Sequence, residues 1–94
     1  MSGNMALTDK LSQALKAAMK AKDGETVGAL RLILAVLQNL RIAKRAALSD
    51  EEIVATLQKE AKKRVEAKAI YEKAGRQDLA AIEERELKII RQWL

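Results

Sequence analysis

The side chains best suited to chemistry in this sequence are lysines and arginines, which cluster mainly in two stretches. Seven of them form the predicted contact set for a polyanion: Arg41, Lys44, Arg45, Lys59, Lys62, Lys63 and Arg76. Cations arranged in a stripe bind phosphates through counterion release, without reading bases. The chain has 18 Lys and Arg against 13 Asp and Glu, and the formal net charge of +5 also favours a polyanionic partner. The alternative is a set of solvated helix faces, balanced by Glu60, Glu66 and Glu72.

The sequence holds few residues that could catalyse a reaction. Cys and His are absent, which removes a common nucleophile, the commonest general base and the usual transition-metal ligands. Phe is also absent, and Tyr and Trp occur once each, too few rings to stack several bases. The carboxylate pairs Glu51–Glu52 and Glu83–Glu84 are adjacent in sequence and therefore do not share a helix face. We therefore predict no enzyme activity, no cofactor and no metal site.

A second group of polar residues lies on helix faces that should point inward. On a helical wheel Arg64 falls between Ile53, Leu57 and Tyr71, where a guanidinium must be paired or hydrogen-bonded. We expect Arg64 to bind a carboxylate or helix-end carbonyls rather than a free phosphate. The predicted structural polar network comprises Arg31, Asn39, Glu60, Arg64, Tyr71 and Asp78.

These side chains must be positioned by helices, because the chain contains no Pro, only four Gly, and many good helix formers. Helical periodicity predicts four segments: Thr8 to Lys22, Glu25 or Thr26 to Arg45, Ser49 to a stop at Ala74–Gly75, and Gln77 or Asp78 to the end of the chain. The predicted fold is all-α, a compact bundle of four helices joined by short turns, with a central apolar second helix.

Local signals set the predicted helix starts and the core. Thr8 is the predicted cap of the first helix, and Ser49 with Glu52 forms a predicted capping box, flanked by a hydrophobic staple of Leu48 and Ile53. Apolar spacing predicts the following inward residues: Leu11, Leu15, Ala18, Met19, Val27, Leu30, Leu32, Ile33, Leu34, Val36, Leu37, Leu40, Ile42, Ile53, Leu57, Ala61, Val65, Leu79, Ile82, Leu87, Ile90 and Trp93 or Leu94.

The sequence also favours a chain outside the membrane. Its most apolar run, Leu30–Leu40, is shorter than the ~18–20 residues of a membrane span and contains Arg31, Gln38 and Asn39. Residues 1–6 do not read as a signal peptide, and we expect them to be disordered or vector-derived. The predicted location is cytoplasmic, with no membrane partner.

The third predicted helix and its exit carry a specific resemblance. The string Tyr71-Glu-Lys-Ala-Gly-Arg-Gln-Asp-Leu-Ala80, together with Leu48-Ser-Asp-Glu-Glu and Lys63-Arg64, resembles the GatB/YqeY family. Further matches lie at Leu30-Arg31-Leu32, Asn39 and Ala43-Lys44-Arg45. The resemblance extends over nearly the whole chain. The sequence is similar to a stand-alone YqeY-like protein rather than to an amidotransferase subunit.

The resemblance implies a role but no catalytic residue. It implies that residues 7–94 form the N-terminal helical domain, cut before a second small helical domain. Related modules lie at the C-terminus of the B subunit of the tRNA-dependent amidotransferase, where they help to hold tRNA. The implied function is therefore a tRNA- or RNA-binding accessory domain. The alternatives are a protein-interaction adaptor, or a non-catalytic component with an inherited carbon–nitrogen ligase label (glutamine as amide donor).

Overall fold

A computed structural model of the protein describes residues 6–94. These residues form four helices: α1 (Leu7–Lys20), α2 (Gly24–Lys44), α3 (Asp50–Lys73) and α4 (Gln77–Arg91). No strand occurs in this part of the chain, and the predicted bundle of four helices is confirmed. The prediction for the N-terminal start falls mostly outside the described residues, although Ala6 is described and is the N-cap of α1.

The four helices pack as two antiparallel hairpins. α1 lies along α2, α3 lies along α4, and α2 also packs against α4 and touches α3, so the second helix contacts all three others. The molecule measures 52 × 31 × 20 Å. Its core lies where the hairpins meet and consists of Leu11, Ala29, Leu30, Ile33, Leu37, Ile53, Leu57, Ile89 and Ile90.

One side of α2 is not covered, although apolar spacing predicted that Leu32, Leu40 and Ile42 point inward. Leu32 and Leu40 are each 41% exposed, and Ile42 is 60% exposed. The other helices pack on one side of α2 only. By length and composition α2 also suffices to cross a membrane, a test that core helices pass as well.

Three other residues predicted to point inward are exposed: Met19, Val65 and Ile82. On a helical wheel each lies at the edge of its helix's apolar stripe. Leu94 is exposed as well, whereas Trp93 packs against the core. Ile89 is buried, although the predicted stripe of α4 did not include it.

Helix α1 begins differently from the prediction. Thr8 lies within the helix and does not cap it, and the N-cap is Ala6, which has no capping side chain. The Leu7 amide instead donates a hydrogen bond to Asp50 Oδ1 at 3.3 Å. A carboxylate from the start of α3 therefore satisfies one of the free N–H groups in the first turn of α1.

The chain turns sharply between α1 and α2. Helix α1 ends at Lys20, two residues earlier than predicted, because Lys22 adopts a left-handed backbone conformation (φ 57°). Asp23 then caps α2, since its carboxylate accepts the Thr26 amide at 3.3 Å and the Thr26 hydroxyl at 2.6 Å. These bonds hold the pKa of Asp23 below its usual value.

Helix α3 starts and ends as predicted. The Ser49 hydroxyl accepts the Glu52 amide at 3.1 Å, and Glu52 Oε1 accepts the Ser49 amide at 2.9 Å, which completes the capping box. Helix α3 ends at Lys73, and Gly75 takes a positive φ of 73° that lets the chain turn into α4.

Replacing the capping serine should destabilise the fold. We expect Ser49→Ala to lower the free energy of unfolding by about 1 kcal/mol, because one free amide of α3 loses its acceptor. Urea unfolding followed by circular dichroism measures the change. Ser12→Ala is the matched control, since Ser12 is an exposed residue inside α1 and its replacement should not destabilise. Equal losses for the two variants would contradict the role of the cap.

Candidate functional site

A groove with a volume of about 620 Å³ lies between α2 and α3. We call it the α2–α3 groove. The two helices meet at the turn that joins them and touch little beyond it, which leaves the space between them open. The groove is lined by Val36, Leu40, Ala43, Lys44, Leu48, Glu52, Ala55, Thr56, Lys59, Glu60 and Lys63.

The closed end of the groove is fixed by an ionic corner. Lys44 Nζ donates to Glu52 Oε1 and to the Ala47 carbonyl oxygen, the latter at 3.2 Å. The same carboxylate oxygen accepts the Ser49 amide. Lys44, and then the Ser49 amide, lower the pKa of Glu52 to about 2. The last turn of α2 is therefore tied to the first turn of α3.

Two lysines of α3, Lys59 and Lys63, line one side of the groove, and Lys62 lies beside them outside the lining. Lys59, Lys62 and Lys63 fall within an arc of about 100° on a helical wheel. Lys63 lies 3.3 Å from Glu60 Oε2. Among residues 6–94, Lys59 and Lys62 form no ion pair or side-chain hydrogen bond, and both are exposed. The arc also contains Glu66, one turn further along, so the local excess is two positive charges.

The opposite side and the floor of the groove are apolar. Val36, Leu40 and Ala43 come from successive turns of α2, and Leu48 comes from the connecting turn. Leu40 is 41% exposed, while Val36 and Leu48 are half-buried. No aromatic side chain lines the groove. The site therefore combines an aliphatic wall with a cationic wall.

The remaining predicted cations are not all brought to this groove. Arg45 is exposed at the left-handed end of α2, next to the ionic corner. Arg41 lines a smaller crevice on the other side of α2, where Gln38 Oε1 accepts from its guanidinium at 3.1 and 3.3 Å. Arg76 pairs with Asp78 at 3.0 Å and follows the far end of α3. That end is about 36 Å from the corner, given 24 residues in α3.

A buried ion pair lies on the core side of the lysines that line the groove. Arg64 is 9% exposed and Glu60 is 5% exposed, and Arg64 NH1 donates to Glu60 Oε1 at 2.9 Å. Arg64 Nε lies 3.6 Å from Glu86 Oε1, too far for a hydrogen bond. Glu60 thus binds Arg64 on the core side and Lys63 on the groove side.

Two carboxylates of α4 form ion pairs with cations of α3. Glu84 Oε1 lies 3.4 Å from Lys68 Nζ, and Glu86 faces Arg64. Burial, followed by the Glu86 charge, raises the pKa of Glu83.

Among the described residues no cluster of three or more acidic side chains is arranged to hold a metal ion.

The predicted polar network is only partly assembled. Arg31 and Asn39 are exposed on α2, and neither has a side-chain partner within residues 6–94. Tyr71 is half-buried without a side-chain hydrogen bond there, and Asp78 bonds with Arg76 instead. Two ion pairs were not predicted from the sequence: Glu86 with Arg64, and Glu52 with Lys44. The only local signal for a partner of Arg64 was the spacing of four residues between Glu60 and Arg64.

Comparison with known proteins identifies the family. The family described as Yqey-like protein matches residues 8–94, which is nearly the whole chain. The chain therefore belongs to the YqeY family, as the resemblance predicted. No curated protein matches the sequence.

Breaking the buried ion pair should destabilise the domain strongly. We expect Arg64→Met to lower the free energy of unfolding by about 3–5 kcal/mol, because Glu60 remains buried without its main partner. The double variant Glu60→Gln/Arg64→Met should lose less. Chemical denaturation measures both.

An exposed ion pair provides the control for that comparison. Arg85 lies 3.3 Å from Glu25, and both side chains are about half exposed or more. Arg85→Met should cost less than about 1 kcal/mol. A loss for Arg64→Met no larger than that for Arg85→Met would contradict the structural role of Arg64.

Proposed function

We propose that this YqeY-family domain is an RNA-binding accessory module that contacts tRNA or another RNA through its phosphates. The observation that carries the proposal is the set of exposed cations around the mouth of the α2–α3 groove. Lys59, Lys62 and Lys63 stand on one side, and Arg45 stands beyond the corner. The net charge of +5 adds long-range attraction for a polyanion.

The chemistry of these side chains suits backbone contact rather than sequence reading. Lysine presents a point charge on a flexible stem, which binds phosphate without fixed geometry. No aromatic ring lines the groove, so bases have no stacking surface there. We therefore propose weak, salt-dependent binding with little preference for RNA sequence.

The family resemblance supports the same proposal. It implies kinship with the module that helps to hold tRNA on the amidotransferase B subunit. The domain would then supply affinity for RNA and leave catalysis to other chains. A cytoplasmic location fits such a role and stays a prediction.

Replacing two cations outside the groove lining tests the proposal without altering the apolar floor. Arg45→Gln/Lys62→Gln should weaken binding of bulk tRNA and reduce the slope of log K against log salt by about 2, one for each lost phosphate contact. Fluorescence anisotropy, starting near ~50 mM salt, measures both quantities.

A matched variant separates local contact from net charge. Lys10 and Lys16 are exposed on α1 and, within the described chain, form no ion pair. Lys10→Gln/Lys16→Gln removes the same charge and should leave the slope nearly unchanged. Equal effects of the two double variants, or no tRNA binding by the unaltered chain near ~50 mM salt, would refute the proposal.

A further inference from the structure

The apolar half of the α2–α3 groove is not explained by RNA binding. Val36, Leu40, Ala43, Leu48 and Ala55 give the groove an aliphatic floor. Charged phosphates gain nothing from aliphatic surface, and bases are held by stacking on rings or guanidinium planes and by hydrogen bonds. In an apolar 18-residue window of α2, only 22% is buried within the domain. This surface therefore suits a ligand that is itself apolar along one side.

The dimensions of the groove suit an α-helix. Its lining residues on α3 run from Glu52 to Lys63, which is about 16 Å at 1.5 Å per residue. Three turns of helix have the same length. Helices α2 and α3 diverge from a common corner, and a third helix fills such a wedge by packing against both. Apolar residues at i, i+4, i+7 and i+11 would face the floor.

The charges around the groove indicate which kind of helix would bind there. The two acidic residues that line it are already neutralised, Glu52 by Lys44 and Glu60 by Arg64 and Lys63. Lys59 has no acidic partner within residues 6–94. The charge left over is positive, which favours an acidic partner. A second copy of this chain is disfavoured, because each copy has a net charge of +5.

We propose that the α2–α3 groove binds an acidic amphipathic helix of a partner protein. The apolar face of that helix packs on Leu40, Val36 and Leu48, and its carboxylates pair with Lys59. This site shares Lys59 with the cations proposed to contact phosphates, whereas Arg45 and Lys62 lie outside the groove lining.

A defined peptide tests the proposal. The probe is a labelled synthetic helix of about 18 residues, with leucines at i, i+4, i+7 and i+11 and glutamates beside them. The comparison peptides replace every glutamate by lysine or scramble the order. We expect the acidic helix to bind at least about tenfold more tightly than either, as measured by anisotropy.

Two exposed positions of α2 supply a matched pair of variants. Leu40 is 41% exposed and lines the groove, whereas Ile42 is 60% exposed and does not. Leu40→Asp should weaken peptide binding at least about tenfold, and Ile42→Asp should leave it nearly unchanged. Circular dichroism checks that both variants fold. If Leu40→Asp does not fold, Lys59→Glu replaces it, with Lys10→Glu as its control.

Several outcomes would overturn the proposal. They are the absence of binding by the acidic peptide up to about 1 mM, equal binding of the acidic and scrambled peptides, and equal effects of Leu40→Asp and Ile42→Asp. A loss of tRNA binding on Leu40→Asp, with the peptide unaffected, would assign the groove to RNA instead. A loss of peptide binding with tRNA binding unaltered would support the proposal.

Discussion

The ionic corner between α2 and α3 is the constraint on which the rest of the structure depends. Glu52 accepts from both Lys44 and the Ser49 amide, so one carboxylate joins the end of one helix to the start of the next. Asp50, two residues before Glu52, accepts the Leu7 amide at 3.3 Å and draws the start of α1 to the same point. Three helix ends thus meet within a few residues. Because α2 and α3 are tied at one end only, they diverge, and the groove is the space that results.

The corner also explains the mixed chemistry of the groove. It holds the uncovered side of α2 opposite the lysine-bearing side of α3, so an aliphatic wall faces a cationic one. The Arg64–Glu60 pair fixes the second wall from the core side, since Glu60 also binds Lys63. Two ligand classes then become compatible with one small domain. In the functions proposed above, phosphates contact the cations around the mouth, and an acidic helix packs on the floor.

Local features of the fold were predictable from the sequence. The capping box at Ser49 and the glycine stop at Gly75 depend on residues a few positions apart, and both occur where they were predicted. The inward position of Arg64 follows from helical periodicity alone. Membership of the YqeY family followed from the string that ends α3 and begins α4.

Features that depend on distant residues were not predictable in this way. The start of α1 depends on Asp50, 43 residues away, which no local capping rule can indicate. Leu40 and Ile42 have the residue types of a core, and their exposure is determined by which sides of α2 the other helices cover. The pairing of Arg64 with Glu86 required the packing of α4 against α3. The groove itself depends on the angle between two helices, and the sequence contains no direct signal for that angle.

The central claim is that the corner sets the angle between α2 and α3. It can be tested by measuring the distance between spin labels on Ala35→Cys and Glu66→Cys, two exposed positions in a chain without native cysteine. Glu52→Ala should broaden or shift the distance distribution, because both bonds to the carboxylate are lost. Glu51→Ala, the adjacent exposed carboxylate, should leave it unchanged. An identical distribution in Glu52→Ala and the unsubstituted background would contradict the account.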